Sequence, residues 1–251
     1  MGKQMTEDRE FFDQVAESDV RKSTRKFYSI VQDCDDYHDS LLAPICPGAK
    51  AIEYGCGTGS YSFFMAEHGA EVTGIDISET CIKKARMRAK DRGVSGISFA
   101  MMDAEHLDFD DSTFDVVRGT AILHHLDMEK ALKEIARVLR PAGRALFIEP
   151  LGHNPVINLY RKMTFQYRTS EEHPMKRQDL FLMTKLFRKT HFRYFHLFSI
   201  SAVPFRNTIF FRGIVRVLRV IDRAVLNYIP GLKLLAWHVV IYLENPYKEK
   251  D

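Results

Sequence analysis

Three glycines at alternate positions, directly after a short apolar run, constrain the fold of this chain more than any other feature. Positions 51–60 read Ala-Ile-Glu-Tyr-Gly-Cys-Gly-Thr-Gly-Ser. Glycine at every second position lets the backbone turn sharply and lets a ligand approach the main chain without meeting a Cβ atom. The segment therefore predicts a buried strand, a ligand-binding turn and a helix that begins at Ser60.

Strand-like and helix-like segments alternate after this turn. The predicted strands are 71–76, 97–102, 114–117 and 144–149, and the predicted helices are 60–68, 78–92 and 128–139. Alternation at this spacing predicts an α/β fold with a doubly wound, mainly parallel sheet, whose ligands lie beyond the carboxyl ends of the strands. Farther on, the apolar patterns predict helices at 158–167 and 178–189 and two more strands at 192–200 and 236–243.

Charge is divided unevenly along the 251 residues, whose length and 45% hydrophobic content predict one large domain. Residues 1–150 carry 19 Lys and Arg against 26 Asp and Glu, whereas residues 151–251 carry 17 against 7 and hold 16 of the 29 aromatic residues. The second part is therefore predicted to face something anionic, namely a phosphorylated substrate, a membrane surface or nucleic acid.

The four cysteines show neither a CxxC pair nor a spacing typical of a metal site, so we expect reduced thiols and no metal. The N-terminal segment is polar, unlike a signal peptide, and the longest apolar run, 234–243, is too short to span a bilayer. These features predict a cytoplasmic protein, with peripheral membrane contact left open.

Five motifs in a fixed order carry a family resemblance. They are Glu-Tyr-Gly-Cys-Gly-Thr-Gly at 53–59, Gly-Ile-Asp at 74–76, Met-Asp-Ala at 102–104, the block 114–125 and Leu-Arg-Pro-Ala-Gly at 139–143. Together they resemble the motifs of the class I (Rossmann-like) S-adenosylmethionine (SAM) dependent methyltransferase family, of the type that acts on small molecules. A dinucleotide-binding turn would need its third glycine at position 60, where Ser60 stands.

The resemblance implies a division of the chain into three parts. Residues 1–48 are expected to form an N-terminal helical lid, and residues 49–150 the SAM-binding core. Residues 151–251 are expected to supply helical insertions that cap the substrate, together with the last two strands of the same domain. It also implies a seven-stranded, mainly parallel sheet with an antiparallel last strand.

The same resemblance assigns a cofactor site, with SAM as methyl donor and S-adenosylhomocysteine as product. The backbone of Gly55 and Gly57 would line the methionine part, and Glu53 would orient its ammonium group. Asp76 would accept from both ribose hydroxyls, because a carboxylate can take two hydrogen bonds side by side, and Asp103 would accept from the adenine amino group. The remaining cofactor residues implied are Tyr28, Cys56, Ile77, Ala104 and Gly119. Taken singly, each acid could also be an ordinary residue at a strand end.

Histidines near strand ends are candidates for the acceptor side of the site. An oxygen or nitrogen nucleophile can need a general base near neutral pH, for which histidine suits, and His125 and His153 are the candidate bases. Each of them could instead be part of the wall. The predicted substrate contacts are His124, Tyr160, Tyr167, Arg168 and His173.

A basic amphipathic helix is predicted between the last two strands. Its four arginines are Arg212, Arg216, Arg219 and Arg223. The last three follow Arg212 by 4, 7 and 11 residues, so all four share one helical face, and apolar side chains line another. The helix could cover the core, form a homodimer contact or lie on an anionic membrane.

The function predicted from these features is methyl transfer from SAM to a small, largely apolar molecule such as a lipid, an isoprenoid or another natural product, with an anionic group on the acceptor left open. Carbon and oxygen remain open as the accepting atom. The alternatives are a nucleic-acid methyltransferase and a SAM-binding protein without turnover. Members of the family that methylate the amino groups of nucleic-acid bases carry an Asn/Asp-Pro-Pro-aromatic motif after the fourth strand. This motif is absent from positions 118–125, which argues against nucleic acid as substrate.

Overall fold

A computed structural model of the chain describes residues 9–13, 27–164 and 172–248. Within these ranges seven strands form one sheet in the order β3-β2-β1-β4-β5-β7-β6. Neighbours among the first five strands are parallel, whereas β7 runs antiparallel to both β5 and β6. The predicted fold class is therefore confirmed. The strands are Lys50–Tyr54 (β1), Glu71–Asp76 (β2), Ile97–Met101 (β3), Phe114–Thr120 (β4), Leu139–Pro150 (β5), Phe187–Phe195 (β6) and His238–Pro246 (β7).

Helices connect the strands and cover the sheet. The α-helices are Gln32–Leu42 (α1), Ser60–Glu67 (α2), Glu79–Arg92 (α3), Met128–Val138 (α4), Pro155–Met163 (α5), Arg177–Leu186 (α6) and Phe211–Tyr228 (α7). Short 3-10 helices are Phe27–Ile30, Ala43–Ile45, Leu123–His125, Ser199–Phe205 and Pro230–Leu235. Local chemistry sets several of their ends. The Ser78 hydroxyl caps α3 by accepting from the Cys81 N–H, and Gly93 ends the same helix at a φ of 63°.

Two apolar layers lie on opposite faces of the sheet. Leu132 and Ile135 of α4 and Met183 of α6 are buried on one face. Leu42 of α1 and Met65 of α2 are buried on the other. A smaller cluster joins Phe27–Ile30, α5, Ser199–Phe205 and α7 next to the sheet edge, with no strand among its described buried members. Each fully buried aliphatic or aromatic side chain stabilises the fold by roughly 1.5–3 kcal/mol, so these layers fix the sheet that positions the site.

Some predicted boundaries are wrong for local reasons. β6 begins at Phe187, immediately after α6, and ends at Phe195 rather than running from 192 to 200. It stops there because His196 has a positive φ of 64° and redirects the chain. β5 begins at Leu139, five residues before the predicted start, and a register shift against Phe114 and Val116 accommodates the longer strand.

The predicted basic helix is present as α7, but its faces differ from the prediction. Its buried residues are Val215, Asp222 and Leu226. Arg219 turns inward, where Nε lies 3.0 Å from Asp33 Oδ1 and Nη2 donates to the Ile30 carbonyl oxygen. The other three arginines are exposed. So are the apolar side chains Val217 (59% exposed), Val220 (63%), Ile221 (41%) and Tyr228 (85%).

Within the described ranges, no helix combines the length and apolar character needed to cross a bilayer. Cys34, Cys46, Cys56 and Cys81 are all buried as free thiols.

Candidate active site

The strand order reverses between β1 and β4, which creates a crevice at their carboxyl ends. β1 pairs with β2 on one side and with β4 on the other. This places three predicted features at one edge of the sheet, namely the glycine turn after β1, Asp76 at the end of β2 and Gly119 near the end of β4.

The glycine turn presents open backbone to this crevice. Gly55, Gly57 and Gly59 have positive φ angles of 60°, 53° and 82°, which favour glycine. A Cβ atom at Gly57 would meet nothing within 4 Å, whereas one at Gly55 would lie 2.9 Å from Ile122 Cδ1. The turn therefore leaves space above Gly57 and is closely packed at Gly55.

Asp76 ties the end of β2 to this turn. Its Oδ2 accepts from the Gly57 N–H at 2.8 Å, and its Oδ1 accepts from the Ser78 N–H at 2.9 Å. Each carboxylate oxygen has a second lone pair. The carboxylate is half-buried and stands beside the open space above Gly57.

The other cofactor candidates lie around the same crevice. Asp103 follows β3, where its Oδ1 accepts from the Glu105 N–H at 2.8 Å, and the next residue, Ala104, is buried. Ile77 directly follows β2 and is half-buried. The Cys56 side chain is buried, and its N–H donates to the Ile75 carbonyl oxygen. At Gly119 a Cβ atom would lie 2.7 Å from Ile122 Cγ2, so only glycine fits there without displacing a neighbour.

Glu53 lies beneath the turn in a buried ion pair. Its Oε1 accepts from Arg118 Nη1 at 2.9 Å, and its Oε2 accepts from the Ser62 hydroxyl at 2.5 Å. Glu53 and Arg118 are each only 2% exposed. Burial raises the pKa of the Glu53 carboxyl, and the Arg118 guanidinium opposes that change. Both oxygens of this carboxylate are therefore engaged within the protein.

A buried Glu149 at the end of β5 holds the turn that follows β4. Its Oε1 accepts from the N–H groups of Ile122 and Leu123 at 3.0 and 2.9 Å. Its Oε2 lies 2.7 Å from Nδ1 of His124, which is 4% exposed. A carboxylate at this position favours the His124 tautomer in which Nδ1 carries the hydrogen and Nε2 has the lone pair.

Residues 9–13 cross the crevice from β2 to β4. Asp13 Oδ1 accepts from the Ser78 hydroxyl at 2.5 Å and from the Thr80 N–H at 3.1 Å. The Phe12 ring lies edge-on against His125, with ring centroids 5.3 Å apart. Burial alone would raise the pKa of Asp13, but the hydrogen bonds from Ser78 and Thr80 outweigh it and lower that pKa.

The segment that returns toward the crevice after α5 is attached to the end of β5. The His173 N–H donates to the His124 carbonyl oxygen at 2.9 Å, and the Met175 N–H donates to the Pro150 carbonyl oxygen at 2.9 Å. This attachment brings Glu172 to the two histidines, and the ligand atoms of His124, His125 and Glu172 all lie within 4.8 Å of one another. The cysteine spacings led to the prediction that there is no metal, and Glu172 is too remote in the chain from the histidine pair for a local pattern to suggest this cluster.

The remaining predicted residues are dispersed. His153 is exposed on the turn before α5, His173 is exposed beside His124, and Tyr160 is half-buried in α5. The structure brings His125 and His124 together, but it does not bring His153 into contact with either of them in the described residues. Tyr167, Arg168 and the side chain of Tyr28 lie outside the part of the chain that the structure describes.

Sequence reasoning missed Arg118, Glu149, Phe12 and Asp13. Arg118 could have been found, since a charged residue inside an apolar strand needs a partner and Glu53 is its neighbour in register on β1. Glu149 could not, because its role depends on β5 lying beside β4. The contacts of Phe12 and Asp13 depend on the path of the N-terminal segment across the sheet.

Comparison with known proteins agrees with this geometry. Over 107 residues the chain is 39% identical to a ubiquinone/menaquinone biosynthesis C-methyltransferase of Idiomarina loihiensis, covering 41% of this chain and 43% of that protein. It is 32% identical over 121 residues to a ubiquinone biosynthesis O-methyltransferase of Coxiella burnetii, covering 48% of this chain and 51% of the relative. The chain thus spans about half the length of these curated relatives.

Among solved structures, phosphoethanolamine N-methyltransferase 2 of Haemonchus contortus superposes with a TM-score of 0.68. The match covers 95% of this chain and 60% of that one at 17% sequence identity, so it shows likeness of fold. The doubly wound sheet has the Rossmann-like fold that the sequence resemblance implied. Residues 52–147 match the family described as "Methyltransferase domain".

Proposed function

We propose that this protein transfers a methyl group from SAM to a small, largely apolar acceptor. The observation that carries the proposal is the open space above Gly57, where a ligand could approach the backbone closely. The Asp76 carboxylate lies beside this space and accepts a hydrogen bond from the Gly57 N–H. A ribose diol on Asp76 and a methionine group above Gly57 would fill this crevice.

The proposed site follows the residue roles implied by the sequence, with one change. Gly55, Cys56 and Gly57 would hold the methionine part, while Asp103, Ala104 and Ile77 would hold the adenine. Gly119 would lie near the sulfonium group. Glu53 would act only indirectly, because Arg118 and Ser62 occupy its carboxylate.

Three parts of the chain would share the work. Residues 1–48 would cover the cofactor, residues 49–150 would bind it, and residues 151–251 would hold the acceptor. The contacts of residues 9–13 with α3 and His125 support the first assignment. The attachment of Glu172 and His173 to the histidine turn supports the last.

In methyl transfer the main task of the protein is to position the acceptor atom and the methyl group. The acceptor atom attacks the methyl carbon in line with the departing sulfur, and bringing the two together removes much of the barrier. Positive charge on the sulfonium disappears as the methyl group moves, so an apolar surround favours the reaction over the bound ground state. The half-buried and exposed apolar side chains of the C-terminal part suit an apolar acceptor.

We also propose that α7 rests on an anionic membrane, where such an acceptor would reside. Val217, Val220, Ile221 and Tyr228 form an exposed apolar stripe beside Arg212, Arg216 and Arg223. A homodimer through the same stripe would bring arginines of like charge together, whereas an anionic surface would neutralise them.

Calorimetry with S-adenosylhomocysteine, followed by transfer of a labelled methyl group to lipid, isoprenoid and quinol acceptors, tests the enzyme proposal. We expect the wild type to bind S-adenosylhomocysteine and Gly57→Ala to lose this binding, because the added Cβ would occupy the open space above the turn. Binding without transfer to any acceptor would favour a SAM-binding protein without turnover, and absence of binding would refute the proposal. Thermal unfolding of the variant serves as the control for folding.

A further inference from the structure

The side chains of His124, His125 and Glu172 converge at the acceptor side of the crevice. We propose that they form a binding site for one divalent transition-metal ion, with Zn²⁺ as the best match. All three ligand atoms lie within 4.8 Å of one another. His124 is buried, while His125 and Glu172 are half-buried, so the cluster is shielded on one side and open on the other.

Glu149 orients one of the proposed ligands. Its Oε2 lies 2.7 Å from Nδ1 of His124, and the carboxylate itself is fully buried. A carboxylate behind one imidazole nitrogen fixes the ring and leaves the other nitrogen as the ligand, an arrangement that accompanies metal-bound histidines in general. Glu149 is in turn held by the backbone N–H groups of Ile122 and Leu123.

The donor set points to a particular class of ion. Two imidazoles and one carboxylate suit Zn²⁺ and other transition metals, whereas Mg²⁺ and Ca²⁺ prefer oxygen donors. Three protein ligands also leave the fourth position of a tetrahedral ion open. With bonds of about 2.1 Å, two ligand atoms of one ion lie at most about 4.2 Å apart, so small side-chain rotations would close this cluster around an ion.

The backbone favours assembly of the site. His124 and His125 belong to one rigid turn, Leu123–His125, anchored by Glu149. Glu172 comes from the returning segment, but the neighbouring His173 N–H donates to the carbonyl oxygen of His124 itself. The three ligands are thus linked by hydrogen bonds of the surrounding structure, which reduces the entropy lost on binding an ion.

The role of the site in catalysis rests on the proposed function. An ion there would supply Lewis-acid chemistry and lower the pKa of a phenolic or enolic hydroxyl at its open position. That hydroxyl would lose its proton to solvent. Its oxygen would then form the new O–CH₃ bond while the S–CH₃ bond breaks and leaves its electron pair on sulfur, giving S-adenosylhomocysteine. The site thus selects an acceptor with an acidic oxygen.

Metal titration of the full-length protein tests the site independently of methyl transfer. Protein stripped with a chelator would be titrated with Co²⁺, followed by its visible absorption, and with Zn²⁺ in competition by calorimetry. We expect one equivalent to bind to the wild type. His125→Gln and Glu172→Gln should lower Zn²⁺ affinity by about 100-fold, and Glu149→Gln by about 10-fold. His191→Gln and Glu129→Gln, two exposed positions elsewhere, serve as matched controls.

Each outcome decides the proposal. Loss confined to the site variants, with unchanged thermal unfolding, supports it. No binding by the wild type, or equal losses in the controls, overturns it and leaves the cluster as an internal hydrogen-bonding network. Because S-adenosylhomocysteine binding is measured separately, a failed metal titration leaves the methyltransferase proposal standing, and a failed cofactor titration leaves the metal site standing.

Discussion

Asp76 holds the glycine turn and, on the proposed function, would also bind the ribose of the cofactor. Asp76→Asn keeps the size of the side chain but removes its charge and one acceptor. A hydrogen bond to a charged group contributes about 1.5–3 kcal/mol, so we expect S-adenosylhomocysteine affinity to fall by roughly 10- to 100-fold. Calorimetry measures this, with Asp91→Asn, exposed on α3, as the control. Equal affinities of the wild type and Asp76→Asn would remove Asp76 from the cofactor site.

Tyr54 offers a test of polar burial in the core. Its side chain is fully buried with the ring edge-on against Phe147, and its hydroxyl has no hydrogen-bond partner among the described residues. An unsatisfied buried hydroxyl costs about 1–3 kcal/mol. Tyr54→Phe is therefore expected to raise the free energy of unfolding by about 1 kcal/mol, as measured by urea denaturation. A destabilised variant would indicate a partner such as a buried water molecule.

Residue patterns predicted the acids at the strand ends but not the side chains that surround His124. Asp76 and Asp103 could be placed because each lies at or near the end of a strand whose apolar pattern is clear. The Glu53–Arg118 pair lies within neighbouring strands, and its register follows only once β1 is known to lie beside β4. Glu172 reaches His124 through a return of the chain that no local spacing encodes.

At the scale of single elements, α7 shows why amphipathic patterns leave faces ambiguous. Apolar side chains occur on two sides of the helix, and the contacts of Asp222 and Arg219 determine which side packs against the rest of the protein. Asp222 accepts hydrogen bonds from the N–H groups of Leu197, Phe198 and Ser199, which turns its face inward. Val217 and Ile221, which belong to the face predicted to be apolar, were left exposed as a result.

The membrane proposal for α7 leads to a quantitative expectation. Replacing Val217, Val220 and Ile221 by Ser removes most of the exposed stripe, and burial of each such side chain contributes about 1.5–3 kcal/mol. We expect the triple variant to lose most of its sedimentation with phosphatidylserine-containing vesicles. Arg212→Gln, Arg216→Gln and Arg223→Gln should each weaken binding by about 1 kcal/mol.

Arg219 is left out of that series because it pairs with Asp33. Met87→Ser, which removes an exposed apolar side chain from α3, serves as the control. If the wild type stays in the supernatant with these vesicles, or if the triple variant sediments as the wild type does, α7 is not a membrane surface. Concentration-dependent dimerisation of the wild type would then identify the second copy as its partner.

Across the whole molecule, His38 is expected to make stability depend on pH. Its side chain is fully buried beside Asp39, Arg118 and Tyr61. Burial lowers its pKa from 6.5 to about 4, and the Arg118 guanidinium acts in the same direction against the hydrogen bond to Asp39. The unfolded chain therefore binds a proton first as pH falls, and stability is lost between pH 6.5 and 4.

Between pH 7 and 5 this loss amounts to about 2 kcal/mol for His38 alone. Asp35, whose pKa burial raises to about 6, acts in the opposite sense, because its contribution is present at low pH and is lost as pH rises through that value. Urea denaturation of wild type and His38→Gln at both pH values isolates the histidine, since Asp35 is retained in both. The variant should show the smaller decrease toward acid pH. Identical decreases would place the pH dependence elsewhere.

For the whole molecule, the regular alternation of strands and helices predicted a mainly parallel, doubly wound sheet. The end of β6 was not predicted, because it depends on a backbone turn at His196 and on the contact of α7 with the following residues. The placement of residues 9–13 across the crevice could not be predicted from local sequence patterns either.

This placement has a kinetic consequence. On the proposed function, a bound nucleoside would lie beneath the Asp13 and Phe12 contacts, so spent cofactor could leave only after they break. Exchange of the nucleoside, rather than the methyl transfer itself, would then set the upper limit on turnover.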